Sequence, residues 1–216
     1  MPVAIKICGL NSAAAADAAI AAGAAYGGLV FHPDSPRNLT LEDAGALARR
    51  MRGRLKIVAL LSDPADEQVA SVKGAVAPDL LQLHGRESVA RVADIRARFG
   101  LPVVKALPLA DAADLAAVAA YEPVADMFLF DAKPPDGAAR GGGHGASFDW
   151  KILSGRGLRK PWFLAGGLNP ENVARAIEAS GASLVDVSSG VESAPGVKSP
   201  ALIAGFAAAA RERVRA

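Results

Sequence analysis

The only cysteine among 216 residues, Cys8, closes the apolar run "PVAIKICGLN" (2–11), two residues after Lys6. A lone cysteine in such a run is most simply a small buried hydrophobe. As a thiolate it is a nucleophile or a base, and that role needs charged or hydrogen-bonding company from elsewhere in the chain. Candidates for such company are Arg37 in "FHPDSPR" (31–37), Gln82 and His84 in "LQLHG" (81–85), Asp131 in "MFLFDA" (127–132), and Asp186 and Ser188 in "SLVDVS" (183–188). Each closes or follows a short apolar run. Taken singly they read equally well as a core histidine, a solvated loop arginine or a turn aspartate.

Three glycine-rich stretches add a second kind of chemistry: "GGGHG" (141–145), "AGGLNPENV" (165–173) and "SSGVES" (188–193). Glycines let backbone N–H groups approach an anion closely, and a following helix N-terminus adds its dipole. Any one such loop reads equally well as a turn, but two in adjacent loops, Gly166-Gly167 and Ser188-Ser189-Gly190, are expected to hold a phosphate. No G-x-x-x-x-G-K-[ST] loop is present, and no G-x-G-x-x-G opens a helix after the first strand. The pattern therefore points to a phosphorylated small substrate rather than a nucleotide.

The elements that must position these residues alternate along the chain. Eight short apolar runs, at 3–8, 27–31, 55–61, 79–83, 102–107, 127–132, 161–166 and 183–188, read as strands. Seven are followed by amphipathic or alanine-rich stretches, at 11–23, 40–51, 65–73, 87–99, 110–120, 170–179 and 200–213, that read as helices. Eight strand–helix units in so short a chain predict an α/β fold, a closed (β/α)8 TIM barrel forming one domain over residues 1–216, with an open doubly wound sheet as the alternative. In such a barrel the loops after the strand C-termini build the site, and that is where the polar residues fall. Strand alternation puts Lys6 with Cys8, Asp131 with Met127 and Leu129, and Ser188 with Asp186 and Leu184 on shared faces. If those faces turn inward, Lys6 and Asp186 lie on neighbouring strands and must pair, and the cation should favour the Cys8 thiolate.

Composition narrows the class. The chain is 51% hydrophobic and 21% charged, with a net charge of +2 and acids and bases intermixed, so it is globular and carries no nucleic-acid footprint. One cysteine excludes an internal disulfide and a multi-cysteine metal site. No leader-like stretch and no membrane-spanning run is present, which predicts a soluble cytoplasmic protein without a membrane or nucleic-acid partner. Monomer and homodimer remain equally open.

Seven ordered segments, "KICGL" (6–10), "SPR" (35–37), "LQLHG" (81–85), "LFDA" (129–132), "GGHGASFDW" (142–150), "LAGGLNPENV" (164–173) and "VDVSSGVES" (185–193), give the chain a close resemblance to the phosphoribosylanthranilate isomerase family over nearly its whole length. The resemblance implies an Amadori rearrangement of N-(5′-phosphoribosyl)anthranilate to 1-(o-carboxyphenylamino)-1-deoxyribulose 5-phosphate in tryptophan biosynthesis. It implies Cys8 as general base, Asp131 as general acid, Arg37 on the anthranilate carboxylate, Gln82, His84 and Asp186 as further substrate-binding residues, and the glycine loops, Gly142, Gly143 and Gly145 with Gly166, Gly167, Ser188, Ser189 and Gly190, on the phosphate. The reaction is redox-neutral, so neither cofactor nor metal is implied. The chain departs from the family pattern at His144, where a hydroxyl residue more often stands between the glycines. Two other readings compete. A related isomerase of histidine biosynthesis carries an aspartate where this chain has Cys8, and a catalytically silent binding barrel would have no use for the set Cys8, Asp131 and Arg37.

Overall fold

The computed structural model describes residues 3–133 and 147–212. The readings of Gly142, Gly143, His144 and Gly145 lie outside the described residues. Eight parallel strands close into a barrel in chain order: β1 (Ala4–Cys8), β2 (Tyr26–Phe31), β3 (Lys56–Leu61), β4 (Leu80–Leu83), β5 (Val103–Leu109), β6 (Met127–Ala132), β7 (Trp162–Leu164) and β8 (Leu184–Val187). The barrel closes where β1 pairs with β8, with Lys6 opposite Asp186.

Helices α1 (Ala13–Ala21), α2 (Leu41–Met51), α3 (Asp66–Val76), α4 (Val89–Phe99), α5 (Ala116–Tyr121), α6 (Val173–Ser180) and α7 (Pro200–Glu212) form the outer layer. Hydroxyl caps set several of their starts: Ser12, Thr40 and Ser88 each accept a backbone N–H from three residues on. The stretch expected as one helix over 110–120 is instead a 3-10 turn, Ala112–Leu115, opened by an Asp111–Asp114 capping box and followed by the short α5. Between β6 and β7 a 3-10 turn, Trp150–Leu153, stands among the described residues. A hairpin, β9 (Glu192–Ala194) and β10 (Val197–Lys198), follows β8 and was not foreseen. Its signal in the sequence is the Pro195-Gly196 turn dipeptide, with Gly196 at φ +81°.

Two apolar bodies hold the layers apart. The larger lies between sheet and helices, and the smaller fills the barrel with Val58, Leu80, Val104, Ala106, Leu129, Phe163 and Ala165. That inner plug is a packed floor, and above it stands the polar rim.

A buried ion pair outside the barrel steadies that rim. Lys105, on the outward face of β5, donates to Glu87 Oε2 at 2.6 Å and to the carbonyl of Gly85 at 2.8 Å. Glu87 Oε1 accepts the N–H groups of Asp63 at 2.8 Å and Gly85 at 3.0 Å, so the clamp ties the loops after β3 and β4 together. Both side chains are essentially without solvent contact, 2% and 0% exposed. Removing one partner strands the other charge in the core. Lys105→Met or Glu87→Ala should each lower stability by about 3–5 kcal/mol. The double replacement Lys105→Met with Glu87→Leu should cost less than the sum, as read by urea unfolding; strictly additive losses would mean the two charges act independently.

Candidate active site

On the floor of the mouth Lys6, 0% exposed, donates to Asp186 Oδ1 at 2.9 Å. The pairing expected from strand alternation is therefore present. Burial alone would lower the Lys6 ammonium, but the carboxylate of Asp186 and the Cys8 sulfur outweigh it and leave Lys6 raised. Cys8 sits one step up the same face, buried and free. Opposite it β2 presents Gly28, where an added Cβ would stand 3.1 Å from Cys8 Sγ, so glycine leaves the room the sulfur occupies.

Lys6 favours the Cys8 thiolate, as expected, and is the strongest influence in that direction, but it does not prevail. Burial raises Cys8 above its ordinary value, with Asp186 adding to the rise, and Lys6 and Lys198 offset these only in part.

Arg37, 5% exposed, reaches the rim from the loop after β2. Its stem lies over Gly9, whose φ is +76° and where any Cβ would collide with Arg37 Cδ. The fork is held by a carboxylate absent from the sequence reading: Nε and Nη2 donate to the two oxygens of Glu192 at 2.7 and 2.8 Å. Among the described residues Nη1 has no hydrogen-bond acceptor. Glu192 also accepts Lys198 Nζ at 2.7 Å and the Gly196 N–H at 3.1 Å. Burial pushes its carboxyl up, and Arg37 and Lys198 more than reverse this, leaving it lowered. Lys198, 8% exposed, is lowered by its burial despite Glu192, and it also donates to the Ser188 carbonyl at 2.9 Å. Glu192 and Lys198 were missed because they sit in the unforeseen hairpin. The available signal was the need of a buried Arg37 for a carboxylate.

Across the mouth, β6 ends in Asp131, whose Oδ1 accepts the Ala132 N–H at 2.9 Å. Its Oδ2 faces His84 Nε2 at 3.4 Å, and the two side chains keep 14% and 13% exposure at the open face. Gln82 lies one step below His84 on β4, has no exposed surface, and turns its amide to the imidazole rather than to the mouth.

The glycine loops after β7 and β8 meet edge to edge. A Cβ on Gly190 would run into the Leu168 carbonyl, and Gly166 and Gly167 hold φ of +85° and +64°. The turn is tied by Asn172, which donates to the Gly167 carbonyl at 2.9 Å and accepts the Asn169 N–H at 2.8 Å. Among the described residues the N–H groups of Gly166 and Gly167 donate to no protein acceptor, which is the form of an anion cradle. Ser188 donates its hydroxyl to the Cys8 carbonyl at 3.2 Å, and Ser189 and Gly190 form the 3-10 turn beside it. Among the described residues no cluster of three or more metal-ligating side chains occurs.

A closed eight-stranded barrel with its polar groups gathered at one rim belongs to the class of (β/α)8-barrel enzymes. The family model for N-(5′-phosphoribosyl)anthranilate isomerase matches residues 5–209. An N-(5′-phosphoribosyl)anthranilate isomerase of Rhodopseudomonas palustris is 54% identical over 215 residues, covering 100% of this chain and 99% of that one. The crystal structure of phosphoribosyl anthranilate isomerase from Thermotoga maritima superposes with a TM-score of 0.86 at 32% identity, covering 96% of this chain and 98% of that one. A crystal structure of phosphoribosyl anthranilate isomerase in complex with reduced 1-(o-carboxyphenylamino)-1-deoxyribulose 5-phosphate gives a TM-score of 0.83 at 32% identity, with the same coverage. The chain belongs to the N-(5′-phosphoribosyl)anthranilate isomerase family and is an isomerase of tryptophan biosynthesis.

Two tests follow from the geometry. Alkylation of the sole thiol by iodoacetamide reads the thiolate, so a raised Cys8 places its midpoint on the alkaline side of the ordinary value of about 8.5. A midpoint on the acid side would show that Lys6 prevails over burial. Glu192→Gln keeps the shape and halves the hold on Arg37, and it should raise KM by about tenfold while kcat changes little, the signature of lost uniform binding.

Proposed function

We propose that Cys8 and Asp131 are the base and the acid of the isomerisation, with Arg37 on the anthranilate carboxylate and the loops of Gly166-Gly167 and Ser188-Ser189-Gly190 on the phosphate. The observation that carries this reading is their placement. Cys8 ends β1 and Asp131 ends β6, three strands apart around the closed barrel, so a sugar lying across the mouth is flanked by both. The compound bound in the related isomerase carries one carboxylate and one phosphate. The Arg37 Nη1 edge and the unengaged glycine N–H groups supply one site for each.

The steps balance without an outside reagent. Asp131 gives its proton to the furanose ring oxygen as the C1′–O4′ bond breaks, which leaves a protonated Schiff base at C1′. Cys8, as thiolate, then removes the proton on C2′, and the electron pair of that C–H bond moves through C1′ to neutralise the nitrogen. The resulting enol-amine takes a proton at C1′ from the Cys8 thiol and gives its C2′ hydroxyl proton to the Asp131 carboxylate, which yields the ketose and returns both groups to their starting forms. Positioned acid and base groups typically contribute about 10²–10⁴ each. Burial raises the Cys8 thiol, so its ionised fraction is the base, and the cationic Schiff base forming beside it steadies that thiolate.

Asp186 serves the same wall by holding Lys6 below Cys8, and His84 borders the acid. No helix among the described residues is long and apolar enough to cross a membrane. A free thiol and a phosphorylated substrate fit a cytoplasmic setting.

The direct test is the loss of phosphoribosylanthranilate fluorescence when the purified protein is added, and no decay would end the proposal. Cys8→Ala and Asp131→Asn should each lower kcat by about 10²–10⁴ with KM largely kept. Near-full activity of Cys8→Ala would return the thiol to a packed hydrophobe. Arg37→Ala should weaken substrate binding by about 2–4 kcal/mol.

A further inference from the structure

Gln82 is fully buried, and its Oε1 has no hydrogen-bond partner while its Nε2 lies 2.9 Å from Nδ1 of His84. Above it, His84 Nε2 faces Asp131 Oδ2 at 3.4 Å, long for a hydrogen bond and within range of closing when a substrate fills the mouth. We propose that Gln82 is a positioning residue that fixes His84 as the Nε2–H tautomer, so that His84 aims a donor at Asp131 and stabilises the carboxylate left after proton transfer to the substrate.

The amide nitrogen against Nδ1 is what sets the tautomer. An amide can present either its two N–H donors or its oxygen to a neighbour. With Nε2 toward His84, the ring nitrogen it meets must be an acceptor. The reverse orientation would set the amide oxygen there and force the proton onto Nδ1. His84 would then turn a bare Nε2 toward Asp131, which repels a carboxylate and competes for the proton the ring oxygen needs. In the orientation observed, His84 keeps its Nε2–H throughout the cycle and undergoes no net proton change. The carboxylate that forms meets two N–H groups, from His84 and from Ala132. These donors strengthen as charge develops, which is the condition for lowering the barrier rather than tightening ground-state binding.

The inference rests on Asp131 being the acid. Asp131→Asn with full activity would end that reading, whereas the tautomer of His84 in the wild-type protein judges Gln82 by itself. Nitrogen-15 NMR of the imidazoles, with His84 assigned by its disappearance in His84→Gln, should show His84 protonated at Nε2 and bare at Nδ1. A wild-type His84 protonated at Nδ1 overturns the proposal whatever the variants do. Gln82→Glu places an acceptor against Nδ1 and should draw a proton there, and kcat should fall by about tenfold or more at nearly constant KM. An unchanged tautomer, or a change confined to KM, counts against it. His84→Gln retains an N–H near the Nε2 position and should keep more of kcat than His84→Leu. Equal kcat in those two variants would show that the donor does not matter.

Discussion

A fully buried ammonium is the constraint around which this barrel closes. Lys6 has no contact with solvent, and an unpaired charge in that position would cost several kcal/mol even after relaxation. Its partner, Asp186, is 180 residues away in the chain and directly opposite it in the β1–β8 register. Sheet closure and charge neutralisation are therefore one event. A one-residue slip of either strand would turn one of the two side chains to the outer face and leave the other stranded. The same pair forms the floor beneath Cys8, so the register that closes the barrel also fixes the height of the thiol at the rim.

The rim then depends on loops that brace one another rather than on the strands alone. The loop after β2 delivers Arg37 across the chain at Gly9, and the β9–β10 hairpin after β8 grips that arginine through Glu192. The hairpin is fastened back by Lys198 to the Ser188 carbonyl, and Ser188 in turn bonds the Cys8 carbonyl. Arg37, the loop after β8 and the thiol's own backbone thus share a single hydrogen-bonded connection. On the other side of the mouth the Lys105–Glu87 clamp anchors the β4 loop that carries His84. Each wall is held by a buried charge pair, Lys6 with Asp186 beneath Cys8 and Lys105 with Glu87 behind the loop of His84.

Much of this was legible in the sequence because the relevant signals are local. Apolar runs of strand length, hydroxyl caps and alternation gave eight units and put Lys6 and Asp186 on inward faces. A closed barrel makes first and last strands neighbours, so their pairing followed. What was not legible depends on comparing distant terms. The sign of the Cys8 shift turns on burial and Asp186 outweighing Lys6 and Lys198, and no spacing ranks those four. Glu192 looked like one more residue of a glycine-rich loop, since nothing local marks it as the partner of an arginine 155 positions earlier. Gln82 was legible as a rim residue by position, but its full burial and its turn toward His84 depend on how β4 packs against the interior plug.

The charges on the Cys8 side of the mouth favour an anion there. Lys6 and Asp186 cancel. Arg37 and Lys198 share a single carboxylate, Glu192, so two cations face one anion in a nearly buried setting. An uncompensated cation is unfavourable in such a setting, and Lys198 is lowered chiefly by its burial, with the charge of Arg37 adding a smaller push. In the proposed mechanism a ligand carboxylate on Arg37 restores neutrality. Ionising Cys8 would restore it as well, so ligand carboxylate and thiolate draw on the same surplus charge. With the carboxylate bound, the ionised fraction of Cys8 takes its counter-charge from the cationic Schiff base that ring opening forms on the substrate.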